Sequence, residues 1–247
     1  MAGHRLDAST VALWRLNETS GSNCADAAPG ARDLTATGAT ITDGLFGKCR
    51  LYRHGQSDKC ERAATDDALG AVFASAEFSW ESWIYRPTSA DGTLFEFGSA
   101  GTTQFRVKVA NAASGHSGAF AVDSRGHAGG GWTRYGPTVP TNAWVHLAVT
   151  FEASTDNKAD VRLTIDCAGG TTVNVDYWRI DSYPPAPAGP HYLKVGEDFR
   201  SSTLDGLIDD TRISDVHRGD ICADMDECYL PSPEVISYLN RMHGGVR

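Results

Sequence analysis

The sequence predicts an all-β fold, a two-sheet antiparallel sandwich, and three observations predict it. The two densest apolar and aromatic stretches, Phe78 to Arg86 (FSWESWIYR) and Trp144 to Glu152 (WVHLAVTFE), alternate with the period of two that marks strands. The 26 glycines and 10 prolines are spread along all 247 residues, which suits many short strands joined by turns. No linker divides the chain, and sandwiches of about 200–250 residues commonly form one domain.

The two central stretches set the frame. In the first, Phe78, Trp80, Ser82 and Ile84 share one face, and Ser79, Glu81, Trp83 and Tyr85 share the other. In the second, Val145, Leu147, Val149 and Phe151 form an apolar face opposite Trp144, His146, Ala148 and Thr150. Trp14, Trp80 and Trp144 lie within strands and are expected in the core. Trp83 and His146 oppose the best apolar face, so they either line an open surface or sit beneath a covering layer.

In chain order, Val11 to Leu16 is a short strand, followed by the polar turn Asn17 to Asn23. Asp26 and the Pro29-Gly30 turn come next, then a turn and strand over residues 43–53. Further strands are expected at Thr93–Phe97, Phe105–Ala110, Ala119–Asp123, Asp160–Asp166, Thr172–Asp176 and Tyr192–Val195. Ser124 to Gly131 is glycine-rich, but no Gly-Lys-Ser/Thr helix start follows it, so it is a turn and not a phosphate cradle. Ser182 to Pro190 is proline-rich and is expected as a surface loop, because proline cannot donate to a ladder.

Beyond residue 218 the composition changes, giving an expected division into a sandwich over 1–218 and a tail over 219–247. The tail is acidic and carries Cys222 and Cys228. Ser232 as N-cap, Pro233 in the first turn and Glu234 predict a short C-terminal helix over 232–243, with Val235, Ile236, Leu239 and Met242 as its apolar stripe. Such a helix packs on its own domain or docks on another subunit, a homo-oligomer included, and both uses stay open.

The order of landmarks resembles the laminin-G-like group of concanavalin A-like jelly rolls. The landmarks are Trp14 before the Glu18 to Gly21 turn, Asp26 and the Gly47 to Tyr52 segment; Phe78 to Trp83; Trp144 to Phe151; and Leu204 to Ile213. Together they span about residues 10–218. The sequence departs from the group at Cys167 to Gly170, where an Asp-Gly hairpin is usual. The resemblance implies a lectin-like sandwich, and it implies calcium as the ion, held by carboxylates and loop carbonyls. Asp26, Asp209 and Asp210 are its candidate ligands, with local turn hydrogen bonding as their alternative role.

A net charge of −9 with a pI near 5.3 argues against nucleic acid or an anionic membrane as partner, since phosphate recognition needs a basic face. No apolar run approaches the length of a membrane span, so no membrane insertion is expected. The opening MAGHRLDAST lacks the apolar core of a secretory leader. The six cysteines, at 24, 49, 60, 167, 222 and 228, show no CxxC pair, so a zinc site of that kind is not expected. Cys222 and Cys228 are close enough to propose as a disulfide, and reduced, buried thiols are the alternative.

No arrangement in the chain is expected to be catalytic. Jelly-roll glycosidases place carboxylates at alternate positions of one strand, and no Glu-x-Asp-x-Glu run occurs. Glu81 and Glu96 stand alone in strands, and the adjacent Asp209 and Asp210 are expected to face opposite ways. Arg218-Gly-Asp220 matches an integrin-recognition tripeptide, which is a chance match at that length. The expected function is therefore non-catalytic binding of a cell-surface glycan or protein. Trp132, Tyr135, Trp178, Tyr183 and Tyr192, in or beside loops, are candidate sugar platforms; local loop packing is the alternative. A lectin-like domain without a leader suits display on a virion surface, as a phage capsid or tail accessory protein, or a leaderless route out of the cell. A decoration protein with no glycan ligand is the structural alternative.

Overall fold

The computed structural model describes residues 3–64, 67–75, 77–99, 102–124, 132–153, 159–165, 174–180, 191–198 and 202–218. The strands are β1 (Thr10–Trp14), β2 (Asn23–Cys24), β3 (Leu34–Thr37), β4 (Thr40–Asp43), β5 (Lys48–Tyr52), β6 (Lys59–Ala64), β7 (Phe78–Tyr85) and β8 (Gly92–Ser99). They continue with β9 (Thr102–Val109), β10 (Ala119–Ser124), β11 (Trp132–Thr138), β12 (Trp144–Ala153), β13 (Ala159–Ile165), β14 (Asn174–Ile180), β15 (His191–Val195) and β16 (Gly206–Ser214). One helix, α1 (Asp67–Ala74), separates β6 from β7.

Two antiparallel sheets of eight strands result. Sheet I runs β14-β13-β12-β7-β16-β5-β4, with β1 also paired to β16; sheet II runs β11-β10-β9-β8-β15-β6-β3-β2. The two central stretches are neighbours, β7 and β12, in a register that sets Trp83 opposite His146 and Trp80 opposite Val149. Their apolar faces turn inward. Phe78, Trp80, Ile84, Leu147, Val149 and Phe151 meet Phe95, Phe105, Val107, Phe120 and Val122 of sheet II in one buried core. Trp14, Trp80 and Trp144 are all buried, as expected.

Elements that the pattern did not reveal have clear local causes. β6 carries Lys59, Glu61 and Arg62 with only Cys60 and two alanines as apolar residues, so it shows little alternation, but it is paired on both sides by β15 and β3. β11 contains Gly136-Pro137 and so resembles a loop. It lies at the edge of sheet II, where a missing ladder donor is tolerated. α1 inserts Leu69, Val72 and Phe73 between the sheets, and the Phe73 ring packs on Phe78, Phe95, Phe97 and Phe105.

Cys24, Cys49 and Cys60 are buried free thiols, with the Cys24 and Cys60 sulfurs 3.2 Å apart. Cys167, Cys222 and Cys228, and the expected helix over 232–243, lie outside the described residues. Arg218 is buried and its Nη2 donates to Asp7 at 2.7 Å, so it is engaged within the fold.

Candidate functional site

Each sheet has an outer face, turned away from the common core, and the two faces differ. On sheet I the outer face is itself buried. Leu45, Cys49, Trp83, Tyr85, Trp144, Ala148 and Leu207 form a second apolar cluster, with Phe46 set edge-on to Trp83 at 5.8 Å between centroids. The cover comes from residues 44–46 and, over Asp210, His146 and Arg212, from the N-terminal residues 3–5. Leu45 and Phe46 donate their backbone N–H groups to Asp209 Oδ2 at 2.8 and 3.0 Å, pinning that loop to β16. Gly44 permits the approach, because a Cβ there would lie 2.6 Å from the same oxygen. Trp83 and His146 thus sit beneath a covering layer and not at an open surface.

The expectation that Asp209 and Asp210 face opposite ways is corrected by a bulge. The β16–β7 register slips between Asp209 and Arg212, and Asp210 adopts φ 56°. A bulge with a left-handed residue brings two successive side chains to one side, and aspartate tolerates that backbone better than most residues. Asp209 consequently meets the 44–46 loop, while Asp210 Oδ2 accepts the backbone N–H of His4 and lies 3.3 Å from His4 Nδ1. Burial, reinforced by repulsion from Asp210, holds the Asp209 carboxyl well above its usual range despite the two backbone donors.

Below His4 lies a charged cluster. Glu81 Oε2 accepts from Arg212 Nε at 2.6 Å, and Arg218 Nε is 3.8 Å away. Burial alone would raise Glu81, but Arg212, His4, His146 and Arg218 hold it at about 2. Glu81 was expected to stand alone. Its partners come from β12, β16 and the N-terminal segment, so no spacing in the sequence brings them together.

Asp26 is part-buried in the early loop. Its Oδ1 accepts from the N–H groups of Leu13 and Ala28 at 2.9 Å each, and its Oδ2 from that of Arg32 at 3.0 Å. The three aspartates considered for calcium therefore have separate partner sets. Arg15 Nη1 already lies 3.6 Å from Asp210 Oδ1.

The outer face of sheet II is polar, and its Lys108 and Lys194 reach solvent while Glu96, Arg106 and Asp123 are buried. Arg106 and Lys108 on β9, Asp123 on β10, Glu96 on β8 and Lys194 on β15 share it, because their neighbours Val107, Phe95, Val122 and Val195 point into the core. Arg106 Nε donates to Asp123 Oδ2 at 2.9 Å and its Nη1 to Asp198 Oδ2 at 2.5 Å; Lys108 Nζ reaches the same Asp123 oxygen at 2.7 Å. Thr103 donates its hydroxyl to Glu96. Burial would raise Asp123, yet Arg106 and Lys108 outweigh it and hold the carboxyl below its usual range.

A cavity of about 220 Å³ opens at one end of this array, lined by Asp91, Thr93, Arg106, Lys108, Asn111 and Asp198 among others. Tyr135 adjoins it: the ring packs on Ala110, Ala119 and Ala121 and stacks on His116 at 4.0 Å, and Ala110 also lines the cavity. Tyr192, part-exposed on β15, lies on the same outer face, next to Gly98 in the ladder. Of the five expected platform residues, the fold therefore sets Tyr135 and Tyr192 on one face. Trp132 opens β11 in sheet II and Trp178 lies in β14 at the edge of sheet I, with side chains outside the described residues. Tyr183 also lies outside them.

A search of the curated proteins finds no relative of this chain. Solved structures do share its fold. Domain 4 of AbnA, a GH43 extracellular arabinanase from Geobacillus stearothermophilus in complex with arabinotriose, is 19% identical with a TM-score of 0.62, over 90% of this chain and 98% of that one. The binding domain of botulinum neurotoxin DC in complex with SialylT is 9% identical with a TM-score of 0.59, over 91% of this chain and 52% of the other. The sialidase of Trypanosoma rangeli in complex with sialic acid, 9% identical with a TM-score of 0.56, is matched over 35% of its length. The chain thus spans about half of the toxin chain and nearly all of the arabinanase domain. A family model matches residues 61–220, more than half of the sequence, and the chain belongs to that family, Laminin_G_3 of the concanavalin A-like lectin/glucanase superfamily.

Proposed function

We propose that this protein is a non-catalytic carbohydrate-binding module whose ligand site is the cavity on the outer face of sheet II. The observation that carries the proposal is the make-up of that cavity. Arg106 and Lys108, Asp91 and Asp198, the hydroxyls of Thr93, Ser114 and Ser202 and the amide of Asn111 line a small concave space, and part-exposed Tyr135, stacked on His116, stands beside it. Saccharides present hydroxyls that donate and accept in turn, and apolar ring faces that stack on aromatic rings. The complexes of the arabinanase domain with arabinotriose, of the toxin domain with SialylT and of the sialidase with sialic acid support a sugar ligand, while the toxin domain's complex with rat synaptotagmin II keeps a protein ligand as the alternative. Arg106 and Lys108 are held by Asp123 and Asp198, so the donors around the cavity are oriented before any ligand arrives.

Glycan-array screening followed by calorimetric titration tests this. Binding of at least one saccharide is expected, weakened about 10-fold or more by Tyr135→Ala and by Lys108→Ala, that is by about 1.4 kcal/mol or more. Absence of binding across the array, or affinity unaltered in both variants, would sink the proposal. Hydrolysis is the competing activity, with Glu96 and Asp123 flanking Arg106 across the ladder. Polysaccharide cleavage lost in Glu96→Gln would establish it.

Display on a virion surface, or another extracellular setting, is the setting proposed from the sequence pattern, with decoration of a particle as the structural alternative. Capsid and tail genes beside this one would favour it. Docking through residues 232–243 belongs to the same proposal and is tested by deleting them.

A further inference from the structure

We propose that His4, Glu81 and His146 form a binding site for one divalent transition-metal ion of the zinc class, which staples the N-terminal segment onto the outer face of sheet I. Among the described residues, this is the one group of three metal-ligating side chains whose ligand atoms converge within 4.8 Å of one another, and all three are buried.

The distances carry the argument. His4 Nε2 and His146 Nε2 are 3.0 Å apart, and Glu81 Oε1 is 4.0 and 3.9 Å from them. A point equidistant from three atoms at those separations lies about 2.1 Å from each, which is the length of a Zn–N or Zn–O bond. Without an ion, the two Nε2 atoms can share one proton in a single hydrogen bond. Glu81 Oε1 then has no hydrogen-bond partner and no access to solvent, a costly state for a carboxylate oxygen. One cation in the gap satisfies all three atoms at once. Two imidazoles and a carboxylate are a ligand set that suits zinc, whereas calcium prefers six or more oxygens.

The surroundings hold these atoms in position. Asp210 takes the backbone N–H of His4 and stands 3.3 Å from its Nδ1, turning Nε2 toward His146, in the manner of a carboxylate behind a metal-bound histidine. Arg212 takes Glu81 Oε2 and leaves Oε1 facing the rings. His146 is fully buried, with its Nε2 3.0 Å from that of His4. Glu81, Asp210 and Asp7 balance Arg212, Arg15 and Arg218, so the ion's charge calls for hydroxide or another anion at a fourth position. Because His4 belongs to the covering segment and the other two ligands to β7 and β12, binding ties cover to sheet.

The test uses metal-free protein without a histidine tag, titrated with zinc chloride. Bound metal is read by equilibrium dialysis with elemental analysis, and thermal unfolding by calorimetry. One tight equivalent and a raised Tm are expected, with no such rise from calcium chloride. Asp210→Asn, which keeps a residue tolerant of the left-handed backbone, should weaken binding about 10–100-fold with all ligands present. His4→Ala should abolish the tight equivalent while sparing both sheets. Cobalt(II) should give visible bands of a nitrogen–oxygen site. Uptake below one equivalent, an unchanged Tm, undiminished binding in His4→Ala, or a thiolate charge-transfer band pointing to the cysteines would each overturn the proposal.

Discussion

On the outer side of sheet I, Glu81, His146, Arg212 and Asp209 are buried beneath residues 3–5 and 44–46; on the outer side of sheet II, Arg106, Lys108 and Asp198 border a cavity, with Asp123 behind Arg106 and Lys108. Both faces carry a carboxylate clasped by guanidinium, and both depart from the simple pattern of apolar inside and polar outside. The difference lies in what happens to the remaining polar atoms. On the sheet II face those of Arg106, Lys108 and Asp198 line a concave space that water or a ligand can fill, although Asp123 Oδ1 is itself buried without a hydrogen-bond partner. On the covered face an oxygen such as Glu81 Oε1 can be satisfied only from within. The covered face therefore suits stability and a resident ion, and the open face suits exchange of a ligand.

The comparison is broken most severely by deleting one charge from each side. Glu81→Ala leaves Arg212 buried beside no carboxylate at that position and is expected to cost about 3–5 kcal/mol, read as a lowered midpoint in urea unfolding. Lys108→Ala removes a part-exposed partner of Asp123, which keeps Arg106, and should cost no more than about 1 kcal/mol. Equal losses would show that the two faces are alike in their electrostatics. A smaller contrast comes from the aromatic rings. Trp83→Ala empties a site between Leu45, Phe46 and Ala148 and should cost about 3–5 kcal/mol with saccharide binding intact. Tyr135→Ala should do the reverse, reducing binding while stability falls by about 1 kcal/mol. Calorimetric titration paired with urea unfolding of both variants separates the two effects.

The scaffold was legible where alternation was strong and where large rings mark their faces. β7 and β12 announce themselves, and so do β9 and β10 with Phe105, Val107, Phe120 and Val122. β6 and β11 were not legible, because charge and proline hide strands whose place depends on neighbours distant in sequence. The open site was legible only in part. Tyr135 and Tyr192 stand out as aromatics, but Arg106 and Lys108 look like ordinary surface cations until β8 and β10 set Glu96 and Asp123 beside them. The covered cluster was not legible as a cluster, and His146 stood out only as facing either an open surface or a cover. His4, Glu81 and His146 are joined by long-range packing of a terminal segment, and the bulge at Asp210 reverses the side on which one of its carboxylates falls. A pattern of period two carries no sign of a bulge.

The gentlest way to sharpen the comparison is pH, since Asp123 and Asp209 should answer with opposite sign. Asp123 has a lowered folded pKa, so the unfolded chain takes up its proton first as pH falls. Its contribution is present above the unfolded value near 4 and fades as pH drops through the folded value. Asp209 has a raised folded pKa, so the unfolded chain releases its proton first as pH rises. Its contribution is full below the unfolded value and fades as pH climbs toward the folded one. Asp209→Asn keeps an oxygen for the Leu45 and Phe46 donors and removes that titration. The variant should therefore gain on the parent protein as pH rises above the unfolded value near 4. Asp123→Asn should lose its disadvantage as pH falls below about 4. Urea midpoints across that range decide the matter: parallel curves for Asp209→Asn and the parent would mean that Asp209 ionises freely beneath its cover.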